Sequence, residues 1–124
     1  MGAQENKQVA EAAYRAFSSG DAAAAMQNMD DAVVWTARGD NALTGTYNGK
    51  QEVAGLWGQL AGKEFGTAPH DFIAEGDKVV VLTKVTLAGE SVESADVLTY
   101  NAEGKLIAFD TLGDPTNANR VFPK

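Results

Sequence analysis

The sequence predicts an α+β domain, with three helices on the N-terminal side packed in a curved, mainly antiparallel sheet. Three observations predict it. Helix-period apolar stripes fall before residue 62, alternating runs dominate after residue 69, and glycine or Asx turns separate them. The resulting order, ααβαββββ, places helices on one face of an antiparallel sheet. A chain of 124 residues makes one domain, 1–124, with its core at about 6–114 and an irregular tail at 115–124.

The first helix is read at residues 6–19, NKQVAEAAYRAFSS. Val9, Ala13, Ala16 and Phe17 form its apolar stripe, and Asn6 stands where a cap is needed. Gly20 ends it, and Asp21 caps a short alanine-rich helix from Ala22 to Asn28. Asp30-Asp31 turns into a strand, Ala32 to Ala37. Residues 38–49 hold three glycines and no period, so they read as a loop. Asn48 and Gln51 have the spacing of a capping box for a helix at about 50–61. Val53, Leu56, Trp57 and Leu60 share one face of that helix, and Gly62 stops it.

Strands follow at Pro69–Glu75 and Lys78–Ala88, joined by Gly76-Asp77. The last hairpin runs from Ser91 to Gly113, about the turn Asn101-Ala102-Glu103-Gly104. Its alternation puts Ser94, Asp96, Leu98 and Tyr100 on one face of the first strand, with Leu106 or Phe109, Thr111 and Gly113 supplying that face on the second. A carboxylate in such apolar company is the oddity of the sequence.

Composition narrows the function. Acidic residues outnumber basic ones by 17 to 10, a net charge of −7, which disfavours nucleic acid and anionic membrane surfaces as partners. Cysteine is absent and there is one histidine, His70, so no thiolate site exists and a zinc site has little to work with. No run approaches the roughly 20 apolar residues of a membrane span. The opening MGAQENKQ lacks the basic and apolar regions of a secretory signal, and a cytoplasmic location is expected. Arg38-Gly39-Asp40 is read as a loop. Gly45 to Gly49 lacks the Lys-Ser/Thr ending of a phosphate loop.

Five blocks occur in a telling order: AYRAFSSGD, MDDAVVWTARG, TGTYNGKQEV, AEGDKVVV and YNAEGKLIAF. Over about residues 6–114 the chain resembles the nuclear transport factor 2-like superfamily, in its SnoaL-like and ketosteroid isomerase-like branch. That resemblance implies a cystatin-like cone: a strongly bent sheet around three helices, with an apolar central pocket at its wide end. It also implies a homodimer through the outer sheet face.

Within that likeness Asp96 matches the aspartic acid that ketosteroid isomerases use as a neutral hydrogen-bond donor. The general reason is that a carboxylic acid in an apolar pocket resists ionisation. The general base of those enzymes falls near Thr36, and their oxyanion tyrosine falls at Ala13. Tyr14 is one step away, about 100° round the helix. The epoxide hydrolase pattern also fails, since Ser94 stands where it needs arginine and Asp110 has the wrong parity for its second aspartate. His70 shares parity with Phe72 and Ala74. It either points into the cone as the partner of Asp96 or sits exposed, bonded to Asp71 or backbone.

The candidate catalytic residues are therefore Asp96 and His70. Tyr14, Trp35, Thr36, Trp57, Phe72, Leu98, Tyr100, Phe109 and Thr111 are the candidate pocket lining. The expected ligand is a small apolar or oxygenated organic molecule, handled without cofactor or metal. If the chain is an enzyme, it is an isomerase, cyclase or hydrolase. The competing expectation is a non-catalytic ligand-binding or dimerisation module of the same fold.

Overall fold

Six strands form one mixed sheet in the order β2-β1-β6-β5-β4-β3. The computed structural model describes residues 2–124, and Met1 lies outside them. The chain runs α1 (Ala3–Ser18), α2 (Ala22–Met26), β1 (Met29–Ala37), β2 (Gly45–Asn48), α3 (Lys50–Ala61), β3 (Gly66–Glu75), β4 (Lys78–Leu87), β5 (Glu90–Tyr100), β6 (Leu106–Thr111) and α4 (Thr116–Val121). Every neighbouring pair is antiparallel except β1 with β6. The sheet curves so that α1 lies on β3 and β4 while α3 lies on β1 and β2.

Side-chain alternation sorts the sheet into rows. One inner row takes a residue from each strand: Ala74, Val79, Leu98, Phe109, Trp35 and Tyr47. Val79, Leu98 and Phe109 are buried there, packed against Ala10 of α1 and Val53 of α3. The next inner row holds Phe72, Val81, Asp96 and Thr111. Between them lies an outward row of Ile73, Val80, Val97, Asp110, Thr36 and Thr46. The register thus puts Asp96 inside and Asp110 outside, as their parity requires.

The structure corrects several sequence expectations: β1 begins at Met29 and takes in Asp30-Asp31, β3 begins at Gly66, and α2 ends at Met26. The first helix begins at Ala3, and Asn6 does not cap it. Gly2 is the N-cap, its backbone N–H donating to Glu5 Oε1 at 2.9 Å, while Asn6 is buried one turn in. Gly45–Asn48 is an edge strand rather than loop, since four residues are too few for a period to register. The capping carboxylate of α3 is Glu52, which accepts from the Asn48 backbone N–H at 2.7 Å, not Gln51. A fourth helix, α4, occupies the tail expected to be irregular. Asp114 starts it by accepting from the Thr116 backbone and hydroxyl at 3.0 and 2.6 Å. Among the described residues no helix is long and apolar enough to cross a membrane.

Candidate functional site

The concave face of the sheet, α1, α3 and the C-terminal segment enclose a cavity of about 230 Å³. Its walls are mostly apolar, and a cluster of aromatic rings forms one part of them. Trp35 stacks on Phe109 with ring centroids 3.6 Å apart and planes at 11°. Trp57 meets Trp35 edge-on at 5.6 Å and Phe17 at 4.9 Å. These contacts follow from local pattern. Trp35 and Phe109 are register partners in the β1–β6 pair, and Trp57 follows Val53 by one helical turn on α3. Pro115, Asn117 and Ala118 line the cavity from the C-terminal side. That segment is tied across it by Asn117 Nδ2 donating to the Leu87 carbonyl at 2.9 Å and the Ala42 N–H donating to the Phe122 carbonyl at 2.8 Å.

Asp96 and Tyr14 are the polar focus of this wall. The Tyr14 hydroxyl donates to Asp96 Oδ2 at 2.5 Å, joining α1 to β5. Tyr14 is held by Phe72, whose ring it meets edge-on at 5.7 Å. Ser94 Oγ lies 3.5 Å from Asp96 Oδ1 and 2.9 Å from Thr111 Oγ1. Asp96 is only 4% exposed. Burial pushes its carboxyl above the ordinary carboxylate range, against the opposing pull of hydrogen bonds from Tyr14, Thr111 and Ser94. Burial, and then the Asp96 carboxyl, hold the Tyr14 phenol well above the ordinary tyrosine range. Tyr14 therefore stays a proton donor at any ordinary pH. The carboxyl beside it has a raised affinity for its proton, the direction of shift that an acid–base group needs.

Most of the residues expected in the pocket are there: Tyr14, Trp35, Trp57, Leu98, Tyr100, Phe109 and Thr111 line the cavity with Asp96. Three candidates are placed elsewhere. Thr36 belongs to the outward row and pairs with Asp110, so the inward residue of that strand is Trp35. Phe72 faces inward but lies behind Tyr14, in a shallow outer groove with Glu11, Arg15 and Pro69. His70 is exposed on the outer face. Its Nε2 lies 2.7 Å from Glu93 Oε1 and its Nδ1 3.1 Å from Asp71 Oδ2. The reason is a β-bulge: Pro69 pairs with Thr83 and Asp71 with Leu82, leaving His70 unopposed. The bulge breaks the parity that linked His70 to Phe72. Hydrogen bonds first from Glu93 and then from Asp71 raise the pKa of His70.

The sequence reading also missed the partner that Asp96 does have. Ala10, Tyr14 and Phe17 follow the i, i+4, i+7 rule, and Ala10 is fully buried, so the inward face of α1 is centred one position beyond the expected stripe. The Ala13 position lines the cavity, but Tyr14 brings the hydroxyl. Ser94 carried a signal too, as a small polar residue two before Asp96 on the same face. Among the described residues no cluster of three or more His, Cys, Asp or Glu has the arrangement of a metal site. Arg38 reaches the cavity rim, but its guanidinium is engaged by Asp110 through two bonds of 2.7 and 2.6 Å.

Known structures share this architecture. An NTF2-like protein from Burkholderia pseudomallei is 26% identical over 96% of this chain and 98% of its own, with a TM-score of 0.82. A protein with a cystatin-like fold from Xanthomonas campestris is 20% identical over 96% of this chain and 98% of its own, with a TM-score of 0.86. TerC, crystallised with polyporic acid, is 24% identical over 93% of this chain and 95% of its own, with a TM-score of 0.79. A search of curated protein sequences returns no match. The family model of the SnoaL-like domain matches residues 10–109, which span the inner wall from Ala10 to Phe109. With four-fifths of its length matched and a fold shared end to end, the chain belongs to the SnoaL-like domain family of the NTF2-like superfamily.

Proposed function

We propose that this protein holds a small, mostly apolar oxygenated molecule in the cavity, with one ligand oxygen docked at Tyr14–Asp96. The observation that carries this is the 2.5 Å hydrogen bond between the part-buried Tyr14 phenol and the buried Asp96 carboxyl in a largely apolar wall. An engineered apolar cavity of about 150 Å³ takes a benzene ring. A volume of about 230 Å³ therefore suits one or two fused rings. The ligand is neutral: Asp96 repels a carboxylate, and the one guanidinium at the rim is already paired with Asp110. TerC was crystallised with polyporic acid. At that level of identity the likeness supports the fold, and the support for a ligand here is the cavity itself.

The chemistry that fits is acid–base chemistry without a cofactor. A single carboxylate that removes a proton from one atom and returns it to another balances an isomerisation or a cyclisation. Tyr14 keeps hold of Oδ2 while Oδ1 is the oxygen free to react. The second reading is a binding module of the same fold. One observation favours it: among the described residues lining the cavity there is no histidine, and the second carboxylate, Asp114, is exposed. A homodimer through the outer sheet face is part of the same proposal. Ile73 and Leu112 are 55% and 53% exposed there, beside Val80, Leu82 and Val97.

The test is ligand titration followed by tryptophan fluorescence, since Trp35 and Trp57 are both in the wall. We expect 2-naphthol, a neutral bicycle with one hydroxyl, to bind and 2-naphthoate to be rejected. Preference for naphthoate, or no binding of either, contradicts the proposal. Exchange of deuterium into an enolisable bicyclic ketone, present in wild type and lost in Asp96→Asn, separates the enzyme from the binding module.

A further inference from the structure

The two oxygens of Asp96 keep different company. Oδ2 accepts the Tyr14 proton at 2.5 Å. Oδ1 faces Ser94 Oγ at 3.5 Å, the outer limit of a hydrogen bond. Ser94 is meanwhile 2.9 Å from Thr111 Oγ1. The ladder fixes all three: Ser94 and Asp96 alternate on the inner face of β5, and Thr111 is the register partner of Asp96 on β6. Ser94 is 8% exposed. The chain leaving β6 then passes Gly113 hard against this cluster. A Cβ at residue 113 would stand 2.7 Å from Ser94 Oγ and 2.9 Å from Ser94 Cβ. Only glycine leaves the serine hydroxyl where it is.

We propose that Ser94 and Thr111 are positioning residues that make Asp96 Oδ1 the oxygen presented to the ligand, and that Gly113 makes room for them. This rests on the reading of Tyr14–Asp96 as the docking point. The terminal torsion of an aspartate is broad and roughly two-fold, so a carboxyl tied at one oxygen can exchange its two ends. A hydroxyl pair on one side removes that equivalence. Hydroxyls both donate and accept, so the pair serves Asp96 ionised or neutral. Thr111 is β-branched and stiff at its first torsion, which holds the outer member of the pair in place. Among the described residues, the other charged side chains lining the same cavity are Arg38, which is paired with Asp110, and Asp114, which bonds Thr116. Tyr14 faces Asp96 from α1 and Thr111 from β6, while Val81 of β4 is its apolar register partner. Tyr100 lies deeper on β5, and Arg38 and Asp114 are at the rim. Hydrogen bonds from Thr111 and Ser94 hold the Asp96 carboxyl lower than burial alone would.

The experiment is a carboxyl ¹³C NMR titration of Asp96 in the ligand-free protein, paired with 2-naphthol binding. Ser94→Ala and Thr111→Val should each raise the pKa of Asp96 by roughly one unit, the size of one hydrogen bond to a charged group. They should weaken 2-naphthol about tenfold. Thr111→Ser, which keeps the hydroxyl but loses the β-branch, should restore most of each property. Gly113→Ala should reproduce the serine variant's shift, because it displaces that hydroxyl. A purely structural role would lower the melting temperature and leave the pKa of Asp96 unmoved. An unmoved pKa in both Ser94→Ala and Thr111→Val overturns the proposal, as does a shifted pKa with unchanged naphthol affinity. Failure of wild type to bind 2-naphthol overturns instead the reading of the cavity, and the pKa shifts still decide the roles of Ser94 and Thr111.

Discussion

Asp96 and His70 stand on the same sheet, two strands apart, and the sheet treats them in opposite ways. Asp96 looks inward among aromatic rings, where burial is the largest influence on its proton. His70 looks outward between Asp71 and Glu93, where hydrogen bonds to those two carboxylates are the largest influences. Both groups hold a proton more tightly than usual. On the inner face the cause is burial, where a charge is costly. On the outer face it is a pair of solvated carboxylates, and solvent screens most of the interaction. A group perturbed by burial is the better candidate for a working site than one perturbed by solvated neighbours, and the proposed function is therefore built on the inner face.

The contrast in packing should produce the largest effect. Phe109 is 8% exposed and stacked on Trp35, whereas Ile73 is 55% exposed on the outer face. Phe109→Ala should cost about 3–5 kcal/mol in urea unfolding. Ile73→Ala should stay within about 0.5 kcal/mol in the monomer. Comparable losses from the two would abolish the distinction between the faces.

Ligand binding should change next most. Tyr14→Phe and Asp96→Asn should each weaken 2-naphthol roughly 10- to 100-fold, the worth of a hydrogen bond to a charged group. His70→Gln should leave that affinity unchanged. A histidine variant that binds as poorly as the aspartate variant would show that the outer cluster reaches the ligand.

A smaller and opposite effect is expected on stability. The Asp96 carboxyl is raised in the folded state, so its favourable contribution is present below the unfolded value of 3.8 and is lost as pH rises through the folded value. Asp96→Asn, which keeps an acceptor for Tyr14, should raise the melting temperature at pH 7 by roughly 2–5 °C, the size of about 1 kcal/mol. That gain should vanish at about pH 3, where the carboxyl is protonated folded and unfolded alike. A gain that persists in acid would point to packing instead. His70 is also raised, so its stabilising pairing is present below 6.5 and fades as pH rises through the folded value. His70→Gln should shift the melting temperature at pH 6 least of all.

The helix stripes, the long strands and the inward parity of Asp96 were legible in the sequence because they rest on repeated spacing. Tyr14 is a pocket-lining candidate from the sequence and lines the cavity, but its bond to Asp96 is not legible there, because the stripe of Val9, Ala13 and Phe17 centres α1 one position before the fully buried Ala10. His70 was misplaced because a parity count assumes an unbroken strand. The proline at position 69 was the available warning, since proline inside a sheet favours edges and bulges. Thr36 failed for a related reason: the resemblance aligned it with an inward residue, whereas the β1–β6 register turns Trp35 inward instead. Short elements were the other loss, in β2 and α4, whose few residues carry no period. The Asp114 cap and the following proline were their strongest local sign.

Titration of the Asp96 carboxyl by ¹³C NMR, in wild type and in Tyr14→Phe, tests the inner site most directly. Wild type should titrate above 3.8, and removal of the phenol should raise the value further, because the Tyr14 hydrogen bond favours the ionised form. A wild-type value at or below 3.8, or one that Tyr14→Phe leaves unchanged, would contradict a buried, tyrosine-held carboxyl as the working group of this cavity.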